Sequence, residues 1–393
     1  MNGNQPRTLK AMLAEAKDTS ELMLDLAHAG LFYADRDLAT EVLELEDDMS
    51  RLVHHMREVC LIASRSPSDA AGLASLLQVI SAIEGLGNEA VDIAKIVLDS
   101  LGIPTELVQD LSQAEEIVDR IEIQDGASLV GRSVDDLETA VEEFRVLAIR
   151  REGRWLFDPA DEGVLREKDV LVVRGDLEAV PQLRKLAGMA PKSIPASDAP
   201  SLWELDRAID TLVEMKNVSE TSVGLAYAAV LFNDRALASE VNHLEDRLDD
   251  MREKIESWVL DAATDARNRP QLRGLLHLAV ASETIGDNAQ SMVWLIEKEE
   301  ELHPIIAEAL GAAEDVVEQL TVGPGSPAEN KTIDELDLKG TNVLAINRQG
   351  RWQYRPRGRT VLRGGDRVIF IGPSEAVEHL EALLDDYAED ELA

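Results

Sequence analysis

The sequence predicts an α+β fold in which two antiparallel three-helix bundles are each followed by a small mixed domain. Two observations support this prediction. The chain repeats itself, because Asp35-Arg36 and Glu84 align with Asp234-Arg235 and Glu283 at one shift, 234 − 35 = 199 residues. Within each copy, long stretches of helical period give way to short alternating stretches typical of strands. We expect bundles at residues 7–102 and 202–302, and mixed domains at 112–190 and 312–389.

Three periodic stretches predict the helices of each bundle. In the second stretch the apolar residues alternate in steps of three and four, the spacing of a helix packed nearly parallel to its neighbours. A breaker at residues 66–68 separates it from the third stretch, and Arg269-Pro270 does the same in the second copy. The seam of the second helix is formed by Leu38, Val42, Leu45, Met49, Leu52, Met56 and Cys60.

The period changes in the mixed domain. A connecting helix is expected from Pro104 to about Asp119, and Ser133 is suited to cap a short helix. Gly153 and Gly350 are expected to turn a hairpin. In the first copy the predicted strands and closing helix are 117–123, 146–149, 154–157, 169–173 and 177–186. In the second copy the matching strands are 343–346, 351–354 and 367–371.

The composition points to a soluble protein with an unusually acidic surface. The net charge is −37, and only 11 of the 39 basic residues are Lys. Such a surface stays hydrated in molar salt, so we expect a cytoplasmic protein of a halophile. It opposes nonspecific nucleic-acid binding, which requires cationic side chains. The single Cys60 suits a reducing compartment. We expect no signal peptide and no membrane-spanning segment.

Carboxylates lie close to the apolar stripe of the third helix in each copy. Glu84 and Glu283 point partly inward, and Asn88 and Asp287 follow four residues later on the same helical face. Inward carboxylates must be hydrogen-bonded, neutralised or metal-bound. Two interpretations therefore remain open: a hydrogen-bonded network that joins the helices, or a metal site built on facing helices.

The helical half resembles the PhoU domain. The resemblance rests on the three-helix pattern, on Val-x-x-Leu-Glu-Asp in the second helix and on Glu-x-x-Gly-Asp/Asn in the third. It implies multinuclear iron or zinc clusters, with Glu84, Glu283 and Asp287 as ligands. The sequence departs from the family pattern at Asn88, where an Asp is expected. Ile83 and Ser282 stand where an Arg is usual.

The mixed half is similar to the TrkA-C domain of the RCK subunits of potassium channels and transporters. The similarity rests on Leu-Ala-Ile in both copies, on Gly153 and Gly350, and on the Asp-led last strand at Asp169 and Asp366. It implies a domain that dimerises and binds cyclic di-AMP or cations at the dimer interface. The duplication could supply both domains of such a dimer within one chain. The Gly-x-Gly-x-x-Gly motif of the usual RCK dinucleotide site is absent from the sequence.

The second mixed domain differs from the first in charge. Residues 348–367 contain seven Arg and one acid, whereas residues 151–170 contain four bases and six acids. With Trp352 and Tyr354 interleaved, this cluster suits an anionic nucleotide such as cyclic di-AMP. The alternative is a surface whose arginines pair with acids of the same chain. The candidate ligand-binding residues are Arg348, Arg351, Arg355, Arg357 and Arg359.

The motifs favour regulation over catalysis. The sequence carries no nucleophile elbow, no P-loop and no Cys/His zinc spacing, so we predict that it is not an enzyme. The predicted function is that of a regulatory subunit of a potassium or cation transport system. Its expected partner is a membrane potassium channel, Trk-type transporter or cation antiporter, and a homo-oligomer is compatible with the duplication. The alternative is a PhoU-type regulator of phosphate uptake or signalling that binds a divalent metal.

Overall fold

The computed structural model confirms the α+β class. It describes residues 8–101, 117–190, 203–298 and 302–384, apart from 135, 138–140, 142–143, 153, 157–163, 176–178, 264–268, 312–314, 355 and 357. The predicted linker at 191–200, most of the predicted connecting helix and Gly153 lie outside these residues. Strand β1 begins at residue 117, so the connecting helix cannot extend to Asp119 as the sequence suggested.

Each copy begins with three long helices. In the first copy they are α1 (Leu9–Tyr33), α2 (Arg36–Ala63) and α3 (Pro67–Leu98). Their starts follow from local chemistry, because the Asp35 carboxylate accepts hydrogen bonds from the backbone amides at the start of α2. Apolar residues at the predicted seam positions are buried along α2, except Leu52, which is half-buried while the neighbouring Val53 is buried. The second copy forms α5, α6 and α7 in the same way (Trp203–Phe232, Arg235–Ala262, Arg269–Glu297).

Each mixed domain is a four-stranded antiparallel sheet with one closing helix. The first copy contains β1 (Ile117–Glu122), β2 (Phe144–Arg151), β3 (Arg154–Leu156), β4 (Val170–Gly175) and α4 (Ala179–Leu186). The second contains α8 (Pro304–Leu310), β5 (Asp315–Thr321), β6 (Asn342–Arg348), β7 (Arg351–Tyr354), β8 (Arg367–Pro373) and α9 (Val377–Leu384). The strand orders are β1-β4-β2-β3 in the first copy and β5-β8-β6-β7 in the second. A bulge interrupts the pairing at the same place in both sheets, in β2 between Val146 and Ala148 and in β6 between Val343 and Ala345.

Both faces of each sheet are covered. One face of the first sheet, with Ala148 and Val172, joins the core of the helices, and Ala345 and Ile369 do the same in the second. The opposite face packs under the closing helix in a separate small core. Each sheet is therefore held between a bundle and a short helix, and a shift of the sheet must displace one of them.

The two bundles pack against each other through α3 and α7, which run antiparallel. The Gln78 side chain donates to the Ser291 carbonyl oxygen at 3.2 Å, and Gly85 lies against Asn288 further along. Helix α8 of the second copy packs on α1 of the first. By contrast, the two sheets form no packing interface with each other in the part of the chain that is described. The described elements therefore do not show the pairing of the two mixed domains within one chain that the sequence suggested.

None of the described helices combines the length and the apolar character that crossing a bilayer requires.

Candidate functional site

The arginine cluster of the second sheet divides into structural and exposed members. Arg348 forms a two-pronged ion pair with Asp366, at 2.8 and 2.6 Å, and also donates to the Val361 carbonyl oxygen. Arg151 makes the same contacts with Asp169 in the first sheet. Because both copies contain this pair, we assign Arg348, at the end of β6, a structural role: it holds Asp366 in the turn that precedes the last strand.

The exposed members form what we call the basic face, defined by Lys331, Arg351, Arg359 and Arg363. All four side chains are exposed, and Lys331 adjoins Arg363 because its carbonyl oxygen accepts from the backbone amide of Leu362 at 2.9 Å. The Arg367 guanidinium lies over the Trp352 ring at 5.8 Å. The predicted ligand residues Arg355 and Arg357 lie outside the described residues.

The corresponding surface of the first sheet is a shallow recess of about 370 Å³. Its basic residues include Arg150, Arg166 and Lys168, but Glu152 and Glu167 lie among them. Arg150 also extends to the bundle, where it pairs with acids of α2. This surface therefore carries mixed charge. The basic face of the second copy also has acids at its border, with Asp334 beside Gly358 and Glu329 beside Gly364.

The first sheet is attached to its bundle by ion pairs. Arg150 of β2 pairs with Glu41 and with Glu44 of α2, the latter at 2.8 Å, and Arg174 of β4 pairs with Asp25 of α1. Burial raises the pKa of Glu41, and the Arg150 charge opposes that rise. Charge therefore fixes where this sheet sits on the helices.

The second sheet is attached mainly by apolar packing. Leu344 of β6 lies so close to Gly224 of α5 that a Cβ at this glycine would come within 2.7 Å of it. The Tyr354 hydroxyl donates to Glu240 of α6. The position of Gly224 corresponds to Asp25 in the first copy, 224 − 25 = 199. The two attachments therefore occupy equivalent positions with different chemistry.

The carboxylates of the third helix also differ between the copies. In the first copy, Arg57 of α2 forms a two-pronged ion pair with Glu84, at 2.6 and 3.2 Å. Asn88 and Ser50 supply no charge beside it. This set does not fit a metal cluster, because its two half-buried carboxylates already have partners: Glu84 pairs with Arg57, and Glu46 accepts from the Ser50 hydroxyl at 2.7 Å. The sequence analysis did not identify Arg57.

The second copy concentrates four carboxylates between α6 and α7: Glu245, Asp249, Glu283 and Asp287. Burial, followed by the charges of Asp249 and Asp287, raises the pKa of Glu245 to about 7. Burial and the same acidic neighbours raise the pKa values of Glu283 and Asp287. Arg252 approaches Glu283 at 3.6 Å and offsets part of this repulsion. The cluster thus has the charge that would attract a cation.

The oxygen atoms of these carboxylates are suitable metal ligands, but the side chains do not converge on a common point. Oxygen donors suit a hard divalent cation. However, no three histidine, cysteine or acidic side chains converge to hold a metal anywhere in the described residues. Asp249 could not be identified by comparing the two copies, because its counterpart in the first copy is Ser50.

Known protein families match almost every part described above. The PhoU domain matches residues 13–97 and 212–295, which are the two bundles. The TrkA-C domain matches residues 119–188 and 317–385, which are the two mixed domains. Both resemblances noted in the sequence are thereby confirmed at the level of domains.

Individual proteins match more weakly. The Trk system potassium uptake protein TrkA homolog of Archaeoglobus fulgidus is 44% identical over 66 residues, which are 16% of this chain and 15% of that protein. The PhoU structure from Pseudomonas aeruginosa is 16% identical over 73% of this chain and 94% of that chain, with a TM-score of 0.39. The GsuK RCK domain is 17% identical over 69% and 64%, with a TM-score of 0.19. TM-scores this low carry no functional argument.

The chain spans less than a sixth of the length of the Archaeoglobus relative, so only the domain assignments are transferred. Their order along the sequence is PhoU, TrkA-C, PhoU, TrkA-C. The chain is therefore a tandem duplicate of a unit made of a PhoU domain followed by a TrkA-C domain.

Proposed function

We propose that this chain is the regulatory subunit of a potassium or other cation transport system. The proposal is carried by the two TrkA-C domains, each seated directly on a PhoU bundle. TrkA-C and PhoU are regulatory rather than catalytic domain families, and the name of the Archaeoglobus relative refers to potassium uptake. The subunit works in the cytoplasm, at the inner face of the membrane that holds its partner.

In this proposal the basic face of the second TrkA-C domain receives an anionic regulator, with cyclic di-AMP as the first candidate. Arg351 and Arg359 are exposed for such a contact. Tyr354, on the same strand as Arg351, joins the sheet to Glu240 of the bundle. A ligand that changes the position of β7 would therefore bias the arrangement of α5 and α6.

The partner is a membrane potassium channel, Trk-type transporter or cation antiporter. Cytoplasmic loops of membrane proteins are rich in Lys and Arg, and this chain has a net charge of −37. Opposite charge on the two surfaces favours their encounter.

Affinity purification from the native cell tests the partner. The tagged chain is recovered in molar KCl and mild detergent, and the proteins that accompany it are identified by mass spectrometry. Recovery of a potassium channel, Trk-type transporter or cation antiporter supports the proposal. Recovery of a phosphate-transporter ATPase or its sensor kinase, without a cation transporter, would contradict it.

Calorimetry with cyclic di-AMP tests the ligand. We expect that Arg351→Gln combined with Arg359→Gln weakens binding by at least about tenfold, because charge-assisted contacts to phosphate are lost. The control is Arg166→Gln in the first TrkA-C domain, which should bind as the parent does. Equal affinity for all three proteins would place the ligand elsewhere.

The carboxylate cluster of the second bundle favours a second candidate function, a PhoU-type metal-binding regulator of phosphate uptake or signalling. Its test is metal analysis of protein purified without chelators. Iron or zinc at one equivalent or more, lost in Glu283→Gln with Asp287→Asn and retained in Glu84→Gln, would favour this candidate. Substoichiometric metal in every variant would remove it.

A further inference from the structure

The second helix of each bundle ends in apolar side chains that face solvent. Leu61 and Ile62 on α2 are 72% and 77% exposed, and Leu260 on α6, the counterpart of Leu61, is 72% exposed (260 − 61 = 199). Among the described residues, no other large apolar side chain is more than half exposed. On the adjoining helix α7, Val280 is 45% exposed. We call Leu61 and Ile62 the first apolar patch, and Leu260 and Val280 the second apolar patch.

The repeated position of these side chains calls for an explanation. A single exposed apolar residue is normal on any protein surface. Here the same turn of the same helix exposes leucine in both copies, on a chain with 76 acids and 39 bases. Exposed apolar patches that are rimmed by polar residues mark interaction surfaces. We propose that the first apolar patch of one chain binds the second apolar patch of another copy of the chain. This contact does not rest on the transport role proposed above.

The two patches of one chain lie at opposite ends of the paired bundles. The first patch adjoins the start of α3, and the second adjoins the start of α7. These two helices run antiparallel, and the Ser75 hydroxyl near the start of α3 accepts from the amide of His303, which follows α7, at 3.2 Å. The patches are therefore separated by roughly the length of a long helix, about 40 Å. A chain cannot join its own two patches, so the occupant of each comes from another molecule.

The surroundings of the two patches differ in charge. Residues 250–261 and 280–287, around the second patch, contain six acids and two bases. The matching residues 51–62 and 81–88, around the first patch, contain two acids, two bases and two histidines. The first patch is close to neutral, because Arg51 pairs with Asp48 and Arg57 pairs with Glu84.

This difference in charge favours a second copy of the chain as the occupant. Contact between two second patches would bring their acids together, and the anionic surface of a membrane would repel them as well. At the first patch the same acids instead meet His54, His55 and Arg65, which are all exposed. The first patch therefore fits the second in both apolar character and charge.

Pairing of unlike patches is a head-to-tail contact. Each contact leaves one first patch and one second patch unoccupied at the two ends of the assembly, so further copies add until a ring closes or a filament grows. The patches are small, so we expect each contact to be reversible and dependent on concentration. The net charge of −37 on every copy opposes association, and molar KCl screens this repulsion.

Capture between two variants that each retain one patch tests the pairing. Leu61→Ser with Ile62→Ser removes the first patch, and Leu260→Ser with Val280→Ser removes the second. All four side chains are exposed, so both variants should fold, and circular dichroism with the urea midpoint of unfolding checks this. In about 3 M KCl, the immobilised first-patch variant should capture the second-patch variant several-fold more than it captures another copy of itself. Only the mixed pair joins an intact first patch to an intact second patch.

The pattern of capture separates this contact from any other. A contact made through the TrkA-C domains is present in every pairing and does not distinguish the variants, so equal capture in all pairings would overturn the proposal. Capture of the second-patch variant by itself, at the level of the mixed pair, would show that like patches bind and would also overturn it. The parent chain captured by the parent chain is the positive control, and absence of capture there contradicts the proposal. None of these results depends on a transport partner or on cyclic di-AMP.

Discussion

At the residue scale, the duplication makes each copy a control for the other. Ala34 ends α1 with φ 49°, a left-handed conformation in which Cβ is unfavourable, and the matching residue in the second copy is Asn233 with φ 50°. We expect Ala34→Asn to raise the free energy of unfolding by about 0.5–1 kcal/mol, because Asn tolerates this conformation better than Ala. Chemical denaturation measures the change. The reciprocal Asn233→Ala should lower stability by a similar amount, and a gain there would contradict the explanation.

The carboxylate cluster of the second bundle predicts a pH dependence. Glu245 has a pKa of about 7 in the folded protein against an ordinary 4.5, so folding binds its proton more tightly. This contribution makes the protein more stable as pH falls from about 7 towards 4.5. Glu245→Gln removes the ionised carboxylate and should therefore stabilise the protein at pH 8, with an advantage that shrinks at pH 5. A stability difference that is the same at both pH values would contradict this assignment.

Some residue roles were readable from the sequence and others were not. Arg151 and Asp169 are separated by 18 residues, as are Arg348 and Asp366 (366 − 348 = 18), so the repeated spacing was available as a signal of a structural pair. The contact of Arg57 with Glu84 joins two helices at no repeated spacing, because the residue matching Arg57 in the second copy is Glu256. Pairs of this kind depend on how the helices pack, which sequence periodicity does not specify.

At the element scale, the attachment of the first sheet to its bundle depends on a buried carboxylate. Removal of Arg150 leaves Glu41, which is 5% exposed, with only the more distant Arg120 at 3.8 Å. We expect Arg150→Gln to cost about 2–3 kcal/mol, because a buried charge loses its partner. Glu41→Gln in the same chain should recover much of the loss. Denaturation of the two single variants and the double variant measures this coupling, and additive effects would show that the pair is not coupled.

The elements themselves were largely predictable. Helical period located the long helices, because each buries one continuous apolar stripe. Alternating and apolar stretches located the four strands of the first sheet and three strands of the second, whereas β5 (Asp315–Thr321) was not predicted. The sequence failed at the connecting helix, where the apolar Ile117 and Val118 fit the start of a strand as well as a helix. It also could not specify the contact of α3 with α7, since nothing in the sequence indicates that Gly85 and Asn288 lie against each other.

At the scale of the whole molecule, the charge predicts dependence on salt. Ion pairs within the chain do not change its net charge of −37, and the resulting repulsion favours the unfolded chain at low ionic strength. We expect the urea midpoint of unfolding to rise between about 0.1 M and 3 M KCl as this repulsion is screened. A midpoint that is already maximal without added salt would contradict both this prediction and the halophilic origin. Sucrose at matched viscosity is the control for nonionic effects.

If each TrkA-C domain pairs with a TrkA-C domain of another chain, as the resemblance implies, the separation of the two sheets gives each chain two points of attachment. A protein with a single such domain would then be saturated by one partner domain, whereas this chain would keep two valences. If both are satisfied by the same neighbour, the product is a closed dimer. If they are satisfied by different neighbours, the product is a ring or an open polymer. Because the two TrkA-C domains differ in charge, the charges of the two pairing surfaces decide which of these assemblies forms. The number of domains alone does not decide it.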